Sequence, residues 1–194
     1  MKLALLSLAA FLIGSVPVGQ IIAHTRGIDL QKVGSGNIGA TNVLRTTGKL
    51  PALFTLLGDY AKGIAVILLA RFFDSGIVHQ GVIGIIAVLG HNFSIFLKFR
   101  GGKGVATSLG VLSIYAPLAA LITAILWLMT VALTRYSSLG AVISFCSLPL
   151  SIFLLDAEEK LPVAIIMSII LLVRHKDNIK RLIAGTESRV GRKA

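Results

Sequence analysis

Acidic residues are scarce in this chain: Asp and Glu together number 8 against 19 Lys and Arg, and charged residues make up only 14% of 194. Soluble domains carry about 25% charged residues, so a fully solvated globular surface is excluded at the outset. Cysteine is nearly absent as well. The single Cys146 lies in an apolar run, which excludes a disulfide framework or a cysteine zinc site and leaves it a packing role. Aromatics amount to 7%, and the net charge of +11 is not laid out as a basic stripe interleaved with them. Nucleic-acid binding is therefore not expected, despite a pI near 10.3. No His, Cys, Asp or Glu constellation with metal-ligand spacing is visible and no cofactor is expected, although a phosphate-bridging Mg²⁺ would leave little trace in so carboxylate-poor a chain.

What the chain has in quantity is apolar sequence, 55% of its residues, with a mean hydropathy of +0.89. Long apolar runs with so little charge predict an all-α, polytopic membrane helix bundle, a single unit over residues 1–194 in contact with the lipid bilayer. The predicted spans are Leu3–Ile22, Pro51–Ala70, Val78–Phe96, Val105–Tyr115, Pro117–Leu133, Leu139–Leu155 and Leu161–Val173. The first could be mistaken for a signal peptide, but no Ala-x-Ala-type cleavage site follows it, and it is expected to be retained. Val105–Tyr115 covers only about 17 Å of a ~30 Å hydrocarbon core. About seven transmembrane helices, some short or re-entrant, are thus expected, with five spans plus re-entrant pieces as the alternative.

Charge sets the orientation. Alternating seven spans gathers residues 24–50, 97–104, 134–138 and 174–194 on one side. These carry most of the basic residues, from Arg26, Lys32, Arg45 and Lys49 through Lys98, Arg100, Lys103 and Arg135 to Arg192 and Lys193. The other side holds only Lys2, Arg71 and Lys160, beside Asp74, Asp156, Glu158 and Glu159. The basic side is predicted to be cytoplasmic, with the N-terminus out and the C-terminus in.

Two glycine-rich polar stretches fall on that side. Phe99-Arg100-Gly101-Gly102-Lys103-Gly104-Val105-Ala106-Thr107-Ser108 surrounds a lysine with glycines and ends in hydroxyls, without the Walker A spacing. Glycine lets backbone N–H groups approach an anion, lysine adds a point charge, and the helix that follows presents its N-terminus. Gly34-Ser35-Gly36-Asn37-Ile38-Gly39-Ala40-Thr41-Asn42, followed by Arg45, adds hydroxyls, amides and a planar guanidinium fork. A capped turn before a helix would use the same residue types.

Other polar groups collect nearby. His91-Asn92 sits near the cytoplasmic end of the third span, as a site residue or a core histidine. Asp59 and Lys62, three apart on one helical face, are expected to pair toward the bundle interior. Ser137 and Ser138 open the sixth span. Arg174, Asn178 and Arg181, at i, i+4 and i+7 around His175, could aim from one helical face at one point, unless they form a solvated basic tail. His24 and Asp29 match an H-x-x-x-x-D pattern that resembles acyl-CoA-dependent acyltransferases, but the companion motifs are missing. A transporter of phosphate or an organic phosphate is the competing class, since broken helices with glycine-rich breaks build such sites. No internal inverted repeat supports it, and the polar clusters lie at one face.

Gly34–Asn42 with Arg45, Gly58-Asp59-x-x-Lys62-Gly63, Gly90-His91 running into Gly101-Gly102-Lys103-Gly104-Val105-Ala106-Thr107, and Arg174-His175-x-x-Asn178-Ile179-x-Arg181-Leu182 together resemble the bacterial acyl-phosphate:glycerol-3-phosphate acyltransferases, the PlsY family. Gln31, Ser94 and Arg189 stand where the family pattern suggests a basic residue, a proline and a lysine. The resemblance implies an enzyme of the bacterial inner membrane that moves a fatty acyl group from acyl phosphate to the sn-1 hydroxyl of glycerol 3-phosphate. Lysophosphatidic acid and inorganic phosphate would be the products, in the first membrane step of phospholipid synthesis. A soluble enzyme producing the acyl phosphate is the implied partner. Carried onto this chain, Ser35, Arg45, Lys103, His175 and Asn178 are the expected catalytic residues. Gly34, Asn37, Thr41, Asn42, His91, Gly101, Gly102, Gly104, Thr107, Ser138 and Arg181 are the expected substrate and phosphate contacts. Lys103, the 101–104 amides and Arg45 would hold one phosphate, and His175, Asn178 and Arg181 would close a second. A mixed anhydride needs no covalent enzyme intermediate. The base is open among His91, His175 and a substrate phosphate oxygen; carboxylates on that side are few, Asp29, Asp177 and Glu187, and substrate assistance is favoured.

Overall fold

A computed structural model describes residues 1–191; Arg192 and Lys193 of the basic tail lie outside the described residues. Those residues are helical with no strand: α1 (Lys2–Ser15), α2 (Val18–His24), α3 (Ala40–Thr46), α4 (Lys49–Phe72), α5 (Ile77–Asn92), α6 (Val105–Tyr115), α7 (Pro117–Thr134), α8 (Ser137–Cys146), α9 (Leu148–Leu155), α10 (Leu161–Arg174) and α11 (Lys176–Ile183). Among the described residues, five stretches are long and apolar enough to cross a membrane: Lys2–His24, Lys49–Phe72, Ile77–Leu97, Pro117–Thr134 and Ser137–Leu155. The α6 and α10 segments are shorter, at 11 and 14 residues.

Two predicted spans are broken inside. The first breaks at Pro17, which has no N–H to continue the ladder. The carbonyls of Ser15 and Val16 find side-chain donors there, Ser94 Oγ and Lys62 Nζ, the latter at 3.0 Å. The sixth breaks around Ser147, ahead of Pro149, into α8 and α9. The polar loop His24–Leu50 is not all loop, because Ala40–Thr46 forms the short α3, with Gly39 extended at its N-cap. The single helical face expected for Arg174, Asn178 and Arg181 is also interrupted. The chain turns at His175, so Arg174 ends one helix while Asn178 and Arg181 sit on the next.

The helices pack through small residues, as expected where lipid supplies no hydrophobic drive between them. Glycines bring α1 against α5: a Cβ on Gly14 would lie 2.1 Å from the Ala87 carbonyl oxygen. Glycines likewise bring α4 against α6, where a Cβ on Gly110 would lie 2.0 Å from the Tyr60 carbonyl oxygen. Val66, Ile67, Ile83, Val111, Leu112, Phe145 and Met167 fill the interior, while leucines such as Leu57, Leu68, Leu128 and Leu133 are exposed.

Candidate functional site

A cavity of about 340 Å³ opens where the start of α4, the end of α7, the start of α8 and the α10–α11 junction meet the two glycine-rich loops. Its walls include Ser35, Asn37, Thr41, Asn42, Arg45, His91, Lys103, Gly104, Ser138, His175 and Asn178, all residues singled out from the sequence. Leu53, Leu56, Trp127, Val131 and Ala141 supply an apolar side. Gly34, Gly101, Gly102, Thr107 and Arg181 stand outside the lining.

Asn42 builds the first loop. Its buried carboxamide accepts from the Ser35 N–H at 2.9 Å and donates to the Asn37 and Val33 carbonyls at 2.8 and 3.1 Å. That leaves Asn42 a scaffold for Ser35 and Asn37 more than a free phosphate ligand. Gly34 belongs to the same turn: its φ is +59°, and a Cβ there would sit 2.2 Å from Asn42 Oδ1. Thr41 Oγ1 lies 3.1 Å from Ser137 Oγ, tying α3 to the start of α8. Arg45 donates from Nη2 to the Ser188 carbonyl at 3.0 Å.

The second loop is anchored from behind. The Gly101 and Gly102 amides donate to the Asn92 and His91 carbonyls at 3.1 and 3.0 Å. The expectation that these two amides cradle phosphate is thereby corrected, because their protons are already engaged. Their carbonyls in turn accept from Arg174, with Nη2 2.8 Å from the Gly102 oxygen, so Arg174 braces this loop and does not join Asn178 and Arg181. Gly102 presses on the His91 ring, where a Cβ would be 2.1 Å from Nε2. Gly104 sits at φ +84° and starts α6, and Thr107 is buried behind it with its Oγ1 unpartnered among the described residues.

His91 is held from the far side by the buried pair Asp59–Lys62, with Lys62 Nζ 2.8 Å from both Asp59 Oδ1 and His91 Nδ1. The expected pairing on α4 is thus present, and it joins the histidine to it. His24 and Asp29 do not pair. His24 faces the Ile28 carbonyl at 3.4 Å, and Asp29 meets Lys32 at 3.3 Å, so the H-x-x-x-x-D pattern is incidental.

His175 is buried at the α10–α11 turn, with Nδ1 2.8 Å from the Leu171 carbonyl oxygen. A carbonyl only accepts, so Nδ1 carries the proton and Nε2 is an acceptor. Burial, and then the Lys103 charge, bring its pKa down to about 4. Burial also brings Lys103 down to about 8, with Glu187 opposing the shift and Arg181, Arg174 and Arg45 adding to it.

Lys103 Nζ donates to Asn178 Oδ1, and Asn178 Nδ2 donates to Glu187 Oε1 at 2.7 Å. Ser138 Oγ donates to the same oxygen at 2.8 Å, and Arg181 Nε to Oε2 at 2.7 Å. Burial pushes the Glu187 carboxyl up, but the hydrogen bonds from Asn178, Ser138 and Arg181 outweigh it and hold the group below its usual range. In the sequence Glu187 stands out only as one of the few carboxylates on the basic side, with no role assigned. It lies nine positions from Asn178 with no helical register, and only Gly185, in the left-handed region after α11, signals that the chain doubles back. Of the departures from the family pattern, Gln31 donates to the Arg100 carbonyl at 2.8 Å, Ser94 meets Ser15, and Arg189 stacks on Tyr136.

Fold and site together define a helical membrane protein with a cation-rich polar pocket, walled on one side by apolar residues and open between its helices. The glycerol-3-phosphate acyltransferase family model matches residues 4–185. The glycerol-3-phosphate acyltransferase of Agrobacterium fabrum is 46% identical over 192 residues, covering 98% of this chain and 93% of that protein. A crystal structure of PlsY, an integral membrane glycerol 3-phosphate acyltransferase, in its glycerol 3-phosphate form superposes with a TM-score of 0.93 at 38% identity, covering 98% of this chain and 96% of that one. The lysophosphatidic acid form gives 0.90 at 36% identity, over 97% and 95%. The chain belongs to the glycerol-3-phosphate acyltransferase family, as the sequence motifs anticipated.

Proposed function

We propose that this protein, acting as a single membrane unit, transfers a fatty acyl group from acyl phosphate to the sn-1 hydroxyl of glycerol 3-phosphate. The carrying observation is one cavity in which Lys103, Arg45, Ser35, Asn37, Asn178 and His175 share space with the apolar wall of Leu53, Leu56, Trp127 and Val131. Both substrates bear phosphate and one bears an acyl chain, so a cation-lined end beside a greasy wall fits them. The glycerol 3-phosphate and lysophosphatidic acid forms of the related PlsY structures support the acceptor and product.

In this reading Lys103 and Arg45 neutralise phosphate charge, and Ser35 and Asn37 add neutral donors. The sn-1 oxygen attacks the acyl carbon and forms the ester C–O bond as the acyl–phosphate C–O bond breaks. The hydroxyl proton passes to an oxygen of the departing phosphate. His175 Nε2, an acceptor, orients that hydroxyl; with a pKa near 4 the ring holds a proton poorly, which favours the phosphate as its destination. No covalent enzyme intermediate is needed, and positioning supplies much of the rate.

In this reading the pocket lies at the cytoplasmic face of the bacterial inner membrane, with the N-terminus out; the basic residues of the loops around it support that side, with α6 and α10 counted as two short crossings beside the five long ones. A soluble enzyme that makes acyl phosphate is the partner such a donor calls for. The test is phosphate release by purified protein given glycerol 3-phosphate and palmitoyl phosphate, with palmitoyl-CoA and Lys103→Ala in parallel. Release that needs both substrates, fails with the CoA ester and collapses in the variant is expected. Ester formed only from the CoA donor, or from neither, overturns the reading.

A further inference from the structure

His91 and His175 both line the pocket, yet their rings are held in opposite ways. His175 spends its Nδ1 proton on the Leu171 carbonyl at 2.8 Å, which leaves Nε2 a lone pair. His91 Nδ1 instead faces the Lys62 ammonium at 2.8 Å.

An ammonium has three protons to donate and no lone pair, so a nitrogen this close to it must accept. Lys62 Nζ lies 2.8 Å from Asp59 Oδ1 and donates to the Val16 carbonyl at 3.0 Å, so with His91 Nδ1 there is one acceptor for each proton. The Lys62 and Asp59 side chains are only 6% and 4% exposed, and the carboxylate is the counter-charge that a buried ammonium requires. Asp59 Oδ1 is also 3.5 Å from His91 Nδ1, but a proton on that nitrogen would point into the ammonium. His91 therefore carries its proton on Nε2.

That N–H has no acceptor within the protein. Lys62 is the one hydrogen-bond partner of the His91 side chain among the described residues. Nε2 lies against the Cα of Gly102, which offers no lone pair, and the Gly102 N–H fixes the loop there by donating to the His91 carbonyl at 3.0 Å. The next two residues, Lys103 and Gly104, line the pocket together with His91.

We propose that Lys62 is a positioning residue that locks His91 in its Nε2–H form, and that His91 donates from Nε2 to an oxygen of a bound substrate phosphate beside Lys103. This rests on the acyltransferase reading of the pocket. The two histidines then meet the substrates in complementary forms, His91 as donor and His175 as acceptor, and His91 drops out as a base. A neutral N–H adds a directed bond to a phosphate that already meets Lys103, without a further buried cation.

The experiment compares detergent-purified wild type, H91N, H91Q and K62M, each labelled with ¹⁵N-histidine, by ¹⁵N NMR, by melting temperature, and by kcat and KM for palmitoyl phosphate and glycerol 3-phosphate. The wild type is expected to show one histidine, absent from the spectra of both His91 variants, that is protonated at Nε2 and bare at Nδ1; in K62M that signal moves toward the other tautomer. H91N keeps an oxygen near the Nδ1 position for Lys62 but has no donor at the far end. Its melting temperature should stay close to wild type while KM for one substrate rises about 10- to 100-fold, as for one lost hydrogen bond to an anion. H91Q reaches the Nε2 position with an amide N–H and recovers most of that loss. A rise in KM for palmitoyl phosphate puts the bond on the donor's phosphate, and a rise for glycerol 3-phosphate puts it on the acceptor's. A His91 proton found on Nδ1 in the wild type overturns the proposal, as do an unchanged tautomer in K62M, unchanged KM values in H91N, or a loss in H91Q equal to that in H91N. If K62M does not fold, the wild-type spectrum and the two His91 variants still decide. A wild type that makes no ester would instead sink the acyltransferase reading, while its ¹⁵N spectrum would still report the tautomer.

Discussion

Lys62 Nζ stands 2.8 Å from His91 Nδ1 and 2.8 Å from Asp59 Oδ1, deep between α4 and α5, and donates as well to the Val16 carbonyl freed by the Pro17 break. Three helices are thereby joined at one ammonium, directly behind the loop that carries Lys103. Removing either charge alone leaves the other buried without its counter-charge, at a cost of about 3–5 kcal/mol. D59N and K62M should each lower the melting temperature in detergent markedly, and the double variant should recover part of the loss. Additive losses in the double variant would show that the pair is not coupled.

Lys103 is expected to act as a cation. Its pKa is lowered to about 8, so the charge is present below that pH and lost as pH rises through it. The kcat/KM profile should therefore fall along an alkaline limb centred near 8, and Lys103→Arg should carry that limb upward. His175, brought down to about 4, is neutral throughout the working range and should add no limb between pH 5 and 7. A profile flat from pH 7 to 10 would contradict the role given to Lys103.

His175→Ala should retain measurable turnover. Orientation of a hydroxyl by one acceptor accounts for about 10²-fold, in line with positioned proton-transfer groups. A loss of four decades or more with substrate binding intact would make the imidazole the obligatory base and rule out transfer of the proton to phosphate.

Two glycines test close approach at different depths. A Cβ on Gly110 meets the Tyr60 backbone at 2.0 Å, where nothing flexible can move aside, so Gly110→Ala should cost about 3 kcal/mol or more by overpacking α4 against α6. Recovery of monodisperse protein and its melting temperature read that out. Gly102→Ala instead meets the His91 ring at 2.1 Å, and should cut activity at least 10-fold with less loss of recovery, because a side chain and a loop can yield. Equal behaviour of the two variants would contradict this division.

Membrane helices, their approximate limits and the two polar loops were legible because lipid imposes long apolar runs and because glycine, serine and asparagine are rarely placed among them without a reason. The ends of Pro51–Ala70 shifted by only two residues, to Lys49–Phe72. Reading the site residue by residue was less complete. Asn42 and Arg174 have the chemistry of phosphate ligands, but their hydrogen bonds go to the protein's own backbone. Residue type shows what a group can bind, and only its neighbours show whether it is already engaged.

The sequence by itself determined the class of protein, the family to which it belongs and the set of cations and hydroxyls from which the pocket is made, because hydropathy and short motifs are local properties of the chain. The tertiary structure alone decided which of those groups meet. It turned Arg174 away from Asn178 by breaking the helix at His175, engaged the Gly101 and Gly102 amides, and returned Glu187 to Ser138, 49 positions distant along the chain. Such meetings depend on helix breaks and on how closely small residues let helices approach, and neither distance nor hydrogen-bond satisfaction is written at any single position.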